Sequence, residues 1–108
     1  MKLKLYNVRD NVEGQFGPIL SSKNDDTLRR DLKGWLASKE KNYINENWQD
    51  KAVYCIGQYD TETGTLLALP QPDFICPLQE IYDVLMADIR RWKEDNKNVG
   101  NEDKEENH

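Results

Sequence analysis

The sequence predicts an α+β fold, in which a small antiparallel sheet packs against two amphipathic helices in the order ββαββα. Two apolar segments rich in β-forming residues flank residues 60–64 (DTETG), a pattern typical of a β-hairpin whose last turn residue has a positive φ. Two other segments repeat apolar residues with helical periodicity. The 108 residues are enough for one domain with one core.

The first strand is predicted over residues 2–8, because two kinds of side chain alternate there. We expect Leu3 and Leu5 to face the core. The opposite, solvent-exposed face would then carry Lys2, Lys4 and Tyr6. Residues 9–16 are predicted to form a turn or short loop, and residues 17–21 a short strand.

The first helix is predicted to follow a cap at Asn24 or Asp25, both of which are residue types that suit a helix N-terminus. Its apolar stripe consists of Leu28, Leu32, Trp35 and Leu36. The polar residues 38–51 are predicted to form a loop, with room for a short helical turn.

The hairpin strands are predicted near residues 52–59 and 64–69, with Gly64 at positive φ. Pro70 and Pro72 are expected to end the sheet, because proline cannot donate to a strand ladder. The second helix is predicted over residues 77–93, and its apolar arc consists of Leu78, Ile81, Tyr82, Leu85, Ile89 and Trp92.

The acidity of the chain is concentrated at its end. Of 20 acidic and 15 basic residues, six acids and two lysines lie from Glu94 onward, which leaves 14 acids and 13 bases in residues 1–93. We therefore predict one domain over residues 1–93 and a disordered acidic tail over residues 94–108. The nearly neutral domain leaves room for a basic face.

The sequence contains no pattern typical of an enzyme, and we expect no catalytic activity, no metal and no cofactor. The only histidine is His108, and Cys55 and Cys76 lack the spacing of a zinc site. We expect both cysteines to be reduced and buried. No apolar segment is long enough to cross a membrane, and no secretory signal is evident, so we expect a cytoplasmic protein without a membrane partner.

A binding surface is the more informative hypothesis. Aromatic side chains among basic ones on a sheet are typical of proteins that bind single-stranded nucleic acid. The candidate DNA-binding residues are Lys2, Lys4, Tyr6, Arg9, Arg29, Arg30, Lys33 and Tyr54. The alternative is that the tyrosines only cover a half-exposed sheet and that the basic residues of the first helix are only solvated.

The second helix also has two interpretations. Its apolar arc can pack on the sheet of its own chain, or part of it can form the seam of a homodimer. The candidate self-association residues are Ile81, Leu85, Ile89 and Trp92.

Three segments in order resemble a known family: residues 4–10 (KLYNVRD), residues 17–19 (GPI) followed by residues 23–25 (KND), and residues 54–64 (YCIGQYDTETG). Together they are similar to the small nonstructural protein of gokushoviruses, single-stranded DNA phages of the Microviridae. The resemblance covers roughly residues 1–75. It implies action in the cytoplasm of an infected bacterium, on phage DNA or the replication machinery, and it offers no catalytic residues to carry over.

Two hypotheses follow. In the first, the chain is a phage accessory protein that binds single-stranded DNA without sequence preference and influences genome replication or packaging. In the second, it is a protein-interaction module that docks on the phage initiator, the procapsid or a host replication factor. The family context and the sheet aromatics favour the first hypothesis, and the acidic balance favours the second.

Overall fold

The computed structural model describes the backbone of residues 1–106 and the side chains of residues 1–96. The predicted α+β class is confirmed, with one more strand than expected, in the order βββαββα. The elements are β1 (Lys2–Asp10), β2 (Gln15–Phe16), β3 (Leu20–Ser22), α1 (Asp25–Ala37), a 3-10 helix (Trp48–Asp50), β4 (Lys51–Asp60), β5 (Leu66–Pro77) and α2 (Leu78–Glu106).

The sheet is built around β1, and every strand pairing in it is antiparallel within the described residues. The short strands β2 and β3 both pair with β1, while β4 pairs with β1 on its other side and β5 pairs with β4. β5 therefore forms one outer edge of the sheet. The β1–β4 ladder shifts register between Leu5 and Tyr6.

The additional strand comes from the segment that was predicted to be only a turn. The carboxylate of Asp10 accepts hydrogen bonds from the backbone N–H groups of Val12 and Glu13, each at 3.0 Å. Gly14 then adopts a φ of 71°, which reverses the chain at little steric cost. The returning chain places Phe16 opposite Arg9.

The core lies between one face of the sheet and both helices, as the sequence predicted. Leu28 and Leu32 of α1 and Leu78 and Ile81 of α2 are buried in one cluster with sheet residues. The sheet contributes Tyr6, Val8, Val53, Cys55 and Cys76 to this cluster. Both cysteines are free and buried, as expected.

The two faces of β1 are the reverse of the prediction. Tyr6 and Val8 are buried, with 0% and 1% of their surface exposed, whereas Leu3 and Leu5 on the opposite face are only half-buried. The interpretation that Tyr6 faces solvent was wrong. Its apolar ring joins the core while its hydroxyl donates a hydrogen bond to Asp25 at 2.5 Å, so that the polar end is satisfied at the rim.

The hairpin between β4 and β5 is confirmed, and Gly64 has a φ of 74°. The expectation that Pro70 and Pro72 end the sheet was wrong, because β5 continues to Pro77. Between the pairs Cys55–Asp73 and Gly57–Ala68, β4 contributes only Ile56 whereas β5 contributes residues 69–72. Both prolines lie in this excursion, where no ladder partner needs their missing N–H.

The first helix begins as predicted, since the side chain of Asn24 accepts a hydrogen bond from the N–H of Thr27 at 2.8 Å. Leu28 and Leu32 are buried. Trp35, predicted to belong to the same stripe, is instead 55% exposed. An ion pair of 2.7 Å between Lys33 and Asp88 ties α1 to α2.

The second helix is longer than predicted. It was expected to end near Lys93, and its backbone continues to Glu106. Up to Asn96, its buried side chains are Leu78, Ile81 and Leu85, and residues 90–96 are exposed. The division into a domain over residues 1–93 and a disordered tail over residues 94–108 stays a prediction. The acidic side chains after Asn96, and His108, lie outside the described residues.

Candidate functional site

The face of the sheet opposite the helices, called the open face below, is the candidate site. Alternation along β1 places Leu3, Leu5, Asn7 and Arg9 on this face, because Tyr6 and Val8 point into the core. Register then places Tyr54 beside Asn7 and Phe74 beside Tyr54. The buried core residues of both helices lie on the other side of the sheet.

Three aromatic rings from three strands meet on the open face. The ring centroid of Tyr54 lies 5.6 Å from that of Phe16 and 5.7 Å from that of Phe74. Both pairs are edge-to-face, an arrangement that the ring quadrupoles favour. Phe16 is 45% exposed and Phe74 is 59% exposed. We call Phe16, Tyr54 and Phe74 the aromatic strip.

One cation lies at the end of the aromatic strip. The guanidinium carbon of Arg9 is 5.6 Å from the ring centroid of Phe16, within the range of a cation–π contact. The Arg9 side chain also donates a hydrogen bond to the amide oxygen of Asn11 at 2.7 Å. Among the side chains that the structure describes, no carboxylate forms an ion pair with Arg9. Arg9 is therefore available to a phosphate.

A buried amide lies beside the aromatic strip. Asn7 is 7% exposed, and its Oδ1 atom has no hydrogen-bond partner among the described residues. A buried acceptor without a partner costs about 1–3 kcal/mol. The open face therefore contains a buried acceptor that the described residues leave unpaired.

Most of the other predicted DNA-binding residues do not lie on the open face. Lys4 and Tyr6 share the helix-covered side of β1, and the basic residues Arg29, Arg30 and Lys33 belong to α1. Three of these cations are paired with carboxylates: Lys4 with Asp25 at 2.8 Å, Arg29 with Glu80 at 3.5 Å and Lys33 with Asp88 at 2.7 Å. Lys2 and Arg30 are exposed. Of the predicted set, only Arg9 and Tyr54 lie on the open face.

The cluster around Asp25 is structural. Hydrogen bonds from the Lys4 ammonium and then from the Tyr6 hydroxyl hold the pKa of Asp25 below its ordinary value. Burial, followed by the hydrogen bond to Asp25, raises the pKa of the Tyr6 hydroxyl. The hydrogen bond to Asp25 also raises the pKa of Lys4. All three shifts favour the charge states that tie β1 to the start of α1.

The predicted self-association residues are divided by the fold. Ile81 and Leu85 are buried, with 3% and 9% of their surface exposed, and Ile81 belongs to the core of its own chain. Ile89 is half-buried and Trp92 is 64% exposed. Only the end of this arc is free for a contact with another molecule.

Next to the aromatic strip, the open face contains an aliphatic groove of about 330 Å³. Leu5, Ile19 and Ile56 line one part of it, and residues 66–69 and Pro72 of β5 line the other. The groove has no charged residue in its lining. It is suited to an apolar occupant.

Sequence reasoning missed Phe16 and Phe74. Phe16 was placed in a loop, and Phe74 was placed beyond the end of the sheet. For Phe16, the available signal is the turn formed by Asp10 and Gly14, which returns the chain beside β1. For Phe74, the signal is the aromatic and β-branched residues after Pro72, which favour a continuing strand.

No group of three or more potential metal-ligating residues occurs in the described part of the chain. None of its helices is long and apolar enough to span a membrane.

The fold and the open face together define a small α+β protein with an exposed aromatic and aliphatic surface. A family model described as Phage ORF5 protein matches residues 3–81, which is more than half of the chain. The chain belongs to this phage protein family. A search of the curated proteins found no match, and a search of the solved structures found none either.

Proposed function

We propose that this chain is a phage accessory protein that binds single-stranded DNA on its open face without sequence preference, and thereby influences genome replication or packaging. We further infer that it belongs to the gokushovirus nonstructural group and acts in the cytoplasm of the infected bacterium. It acts by binding and not by catalysis. The family match supports the phage context.

The observation that carries this proposal is the aromatic strip. Phe16 and Phe74 expose about half of their surfaces, and Tyr54 lies between them. Every nucleic-acid base has a π-face, so a base can stack on such rings whatever its identity, with a gain of about 1–3 kcal/mol per base. Rings on three strands of one sheet resemble the platforms on which single strands are bound.

The charges of the open face make the expected binding weakly dependent on salt. Arg9 is the cation of this face, whereas Lys2 is exposed but lies on the same side of β1 as Lys4 and Tyr6. With about one phosphate neutralised, the logarithm of the affinity should fall with the logarithm of salt at a slope of roughly −0.7. A steeper slope would mean that cations outside the open face, such as Arg30 of α1, also contact phosphates.

The test is a fluorescence-anisotropy titration of a labelled oligonucleotide at low salt. Phe74→Ala should weaken binding by about 1–3 kcal/mol and leave the salt slope unchanged, because it removes a stacking surface and no charge. Trp92→Ala is the matched control, since Trp92 is 64% exposed but lies on α2. Absence of binding below about 100 μM at 50 mM salt, where even non-specific binders register, would remove the proposal.

The aliphatic groove favours a second candidate function, a protein-interaction module. Its uncharged lining suits an apolar segment of the phage initiator, the procapsid or a host replication factor. The net charge of −5 also disfavours a nucleic-acid partner. In this case Ile19→Lys should abolish binding of the protein partner. In the DNA titration, the wild type and Phe74→Ala should then give the same result, because neither binds the oligonucleotide.

A further inference from the structure

We propose that β5 pairs edge to edge with the β5 strand of a second copy of this chain, so that two sheets join into one continuous sheet. The inference is independent of DNA binding. It rests on the exposed outer edge of β5, on the backbone groups that point outward from it, and on the composition of residues 64–72.

The outer edge of β5 is open over residues 66–69. β5 is the last strand of the sheet order and pairs only with β4. Leu66 is 64% exposed, Leu67 is 59% exposed and Leu69 is 37% exposed. A strand edge of this kind carries unpaired N–H and C=O groups and is a template for another strand.

The hairpin identifies which backbone groups point outward. The N–H of Asp60 donates to the carbonyl of Thr65 at 3.0 Å, so this pair is hydrogen-bonded across the ladder. Pairs in an antiparallel ladder alternate, and Gln58–Leu67 is therefore the next hydrogen-bonded pair. The N–H and C=O groups of Leu66 and Ala68 must then point away from β4.

These outward groups match those of a second copy related by a two-fold axis. If Leu67 lies opposite Leu67 of the other copy, Leu66 of each copy faces Ala68 of the other. The two Leu66–Ala68 pairs then exchange four hydrogen bonds, as in any antiparallel ladder. Such an interface is isologous and closes after two copies.

The composition of the segment selects a second copy as the partner. Residues 64–72 (GTLLALPQP) contain no charge, in a chain of which 32% of the residues are charged. Natural edge strands are commonly protected by lysine or another charge, and this edge has none. An uncharged, apolar strand offers nothing to a charged partner, whereas it is complementary to itself.

The ends of the segment limit the length of the pairing. Pro70 and Pro72 have no N–H to donate beyond Leu69, and the turn at Gly64 ends the strand on the other side. Pairing is thereby confined to about four residues of each chain. An interface of this size lies at the small end of specific contacts, so a dissociation constant in the micromolar range is expected.

Sedimentation velocity over about 1–500 μM protein tests the inference. The wild-type chain should shift from the 12.7 kDa monomer to twice that mass as its concentration rises. Ala68→Pro should stay monomeric with an unchanged circular dichroism spectrum, because the N–H that it removes points away from β4. A wild type that stays monomeric at 500 μM, or an Ala68→Pro variant that still dimerises, would overturn the proposal.

A charge exchange at the centre of the interface tests the register. Leu67→Lys and Leu67→Asp should each be monomeric, since the two-fold axis places like charges opposite one another. A one-to-one mixture of the two variants should recover the doubled mass. Val84→Lys, at an apolar position of α2 that is 50% exposed, is the control that should still dimerise. Failure of the folded variants to recover the dimer when mixed would show that Leu67 does not lie at the axis.

Discussion

The two faces of the sheet differ in how deeply they bury large apolar side chains. The helix-covered face buries compact residues such as Val8, Val53 and Cys55, and its one aromatic ring, Tyr6, has its hydroxyl satisfied by Asp25. The open face leaves Phe16 and Phe74 about half exposed. Exposed aromatic rings that are grouped and not scattered indicate a binding surface. The comparison teaches that one face serves folding and that the other is available for contacts.

The largest expected difference between the faces is in stability. Leu32→Ala removes a side chain that is 1% exposed and should lower the free energy of unfolding by about 2–5 kcal/mol, because a cavity remains in the core. Ile19→Ala on the open face, where Ile19 is 63% exposed, should cost less than about 1 kcal/mol. Urea denaturation measures both. Similar losses for the two variants would mean that the open face is covered in solution.

The next effect concerns the link between β1 and α1 and depends on pH. Asp25→Asn should lower the free energy of unfolding by about 1–2 kcal/mol at neutral pH, a value reduced because both ion-pair partners are partly exposed. The pKa of Asp25 is held low in the folded state, so its contribution is present above its unfolded pKa of about 3.9. The contribution is lost as the pH falls through the folded pKa.

The measurement is the difference in unfolding free energy between the wild type and Asp25→Asn at several pH values. The two proteins should converge as the pH falls below about 4. A difference that stays constant down to pH 2 would show that the carboxylate charge of Asp25 does not stabilise the fold.

A smaller change, which raises the free energy of unfolding, is expected for a substitution of Asn7 beside the aromatic strip. Asn7→Leu replaces a buried amide whose Oδ1 has no partner among the described residues, and it should raise the free energy of unfolding by about 1 kcal/mol. Asp10→Ala is the contrast, because Asp10 is equally buried but accepts two backbone hydrogen bonds and should destabilise the fold. Thermal denaturation measures both variants: the midpoint should rise for Asn7→Leu and fall for Asp10→Ala.

Features of the fold that depend on neighbouring residues could be predicted from the sequence, whereas features that depend on contacts between distant segments could not. The turn at Gly64 and the cap at Asn24 depend on neighbouring residues, and both were predicted from them. The faces of β1 could not be predicted from alternation, because Leu3 and Leu5 fit an interior as well as Tyr6 and Val8 do. Only the position of the helices decides which set is covered.

The candidate site was predictable only in part, because some of its contacts join residues that are far apart in the chain. Tyr54 lies on a strand that the sequence identified, whereas Arg9 was placed in the loop after the first predicted strand and lies on β1, which continues to Asp10. Phe74 pairs with Tyr54 across a ladder that is interrupted by an excursion, and local rules for proline predict the end of a strand there. Carboxylates that pair with Lys4, Arg29 and Lys33 are 21 to 55 residues away in the chain, so their neutralising effect becomes visible only in the folded protein.

The smallest expected effect on stability concerns α2, which itself has a covered and an uncovered part. Among the side chains of α2 that the structure describes, Leu85 is the last buried one, and residues 90–96 are exposed. Deleting residues 96–108 should therefore leave the thermal midpoint nearly unchanged, because little apolar surface is lost. The deletion removes four acids and two lysines, and it should strengthen DNA binding at low salt, because repulsion of phosphates decreases. A large drop in the midpoint would show that the acidic end packs against the domain, and unchanged affinity would show that it lies beyond electrostatic reach of the open face.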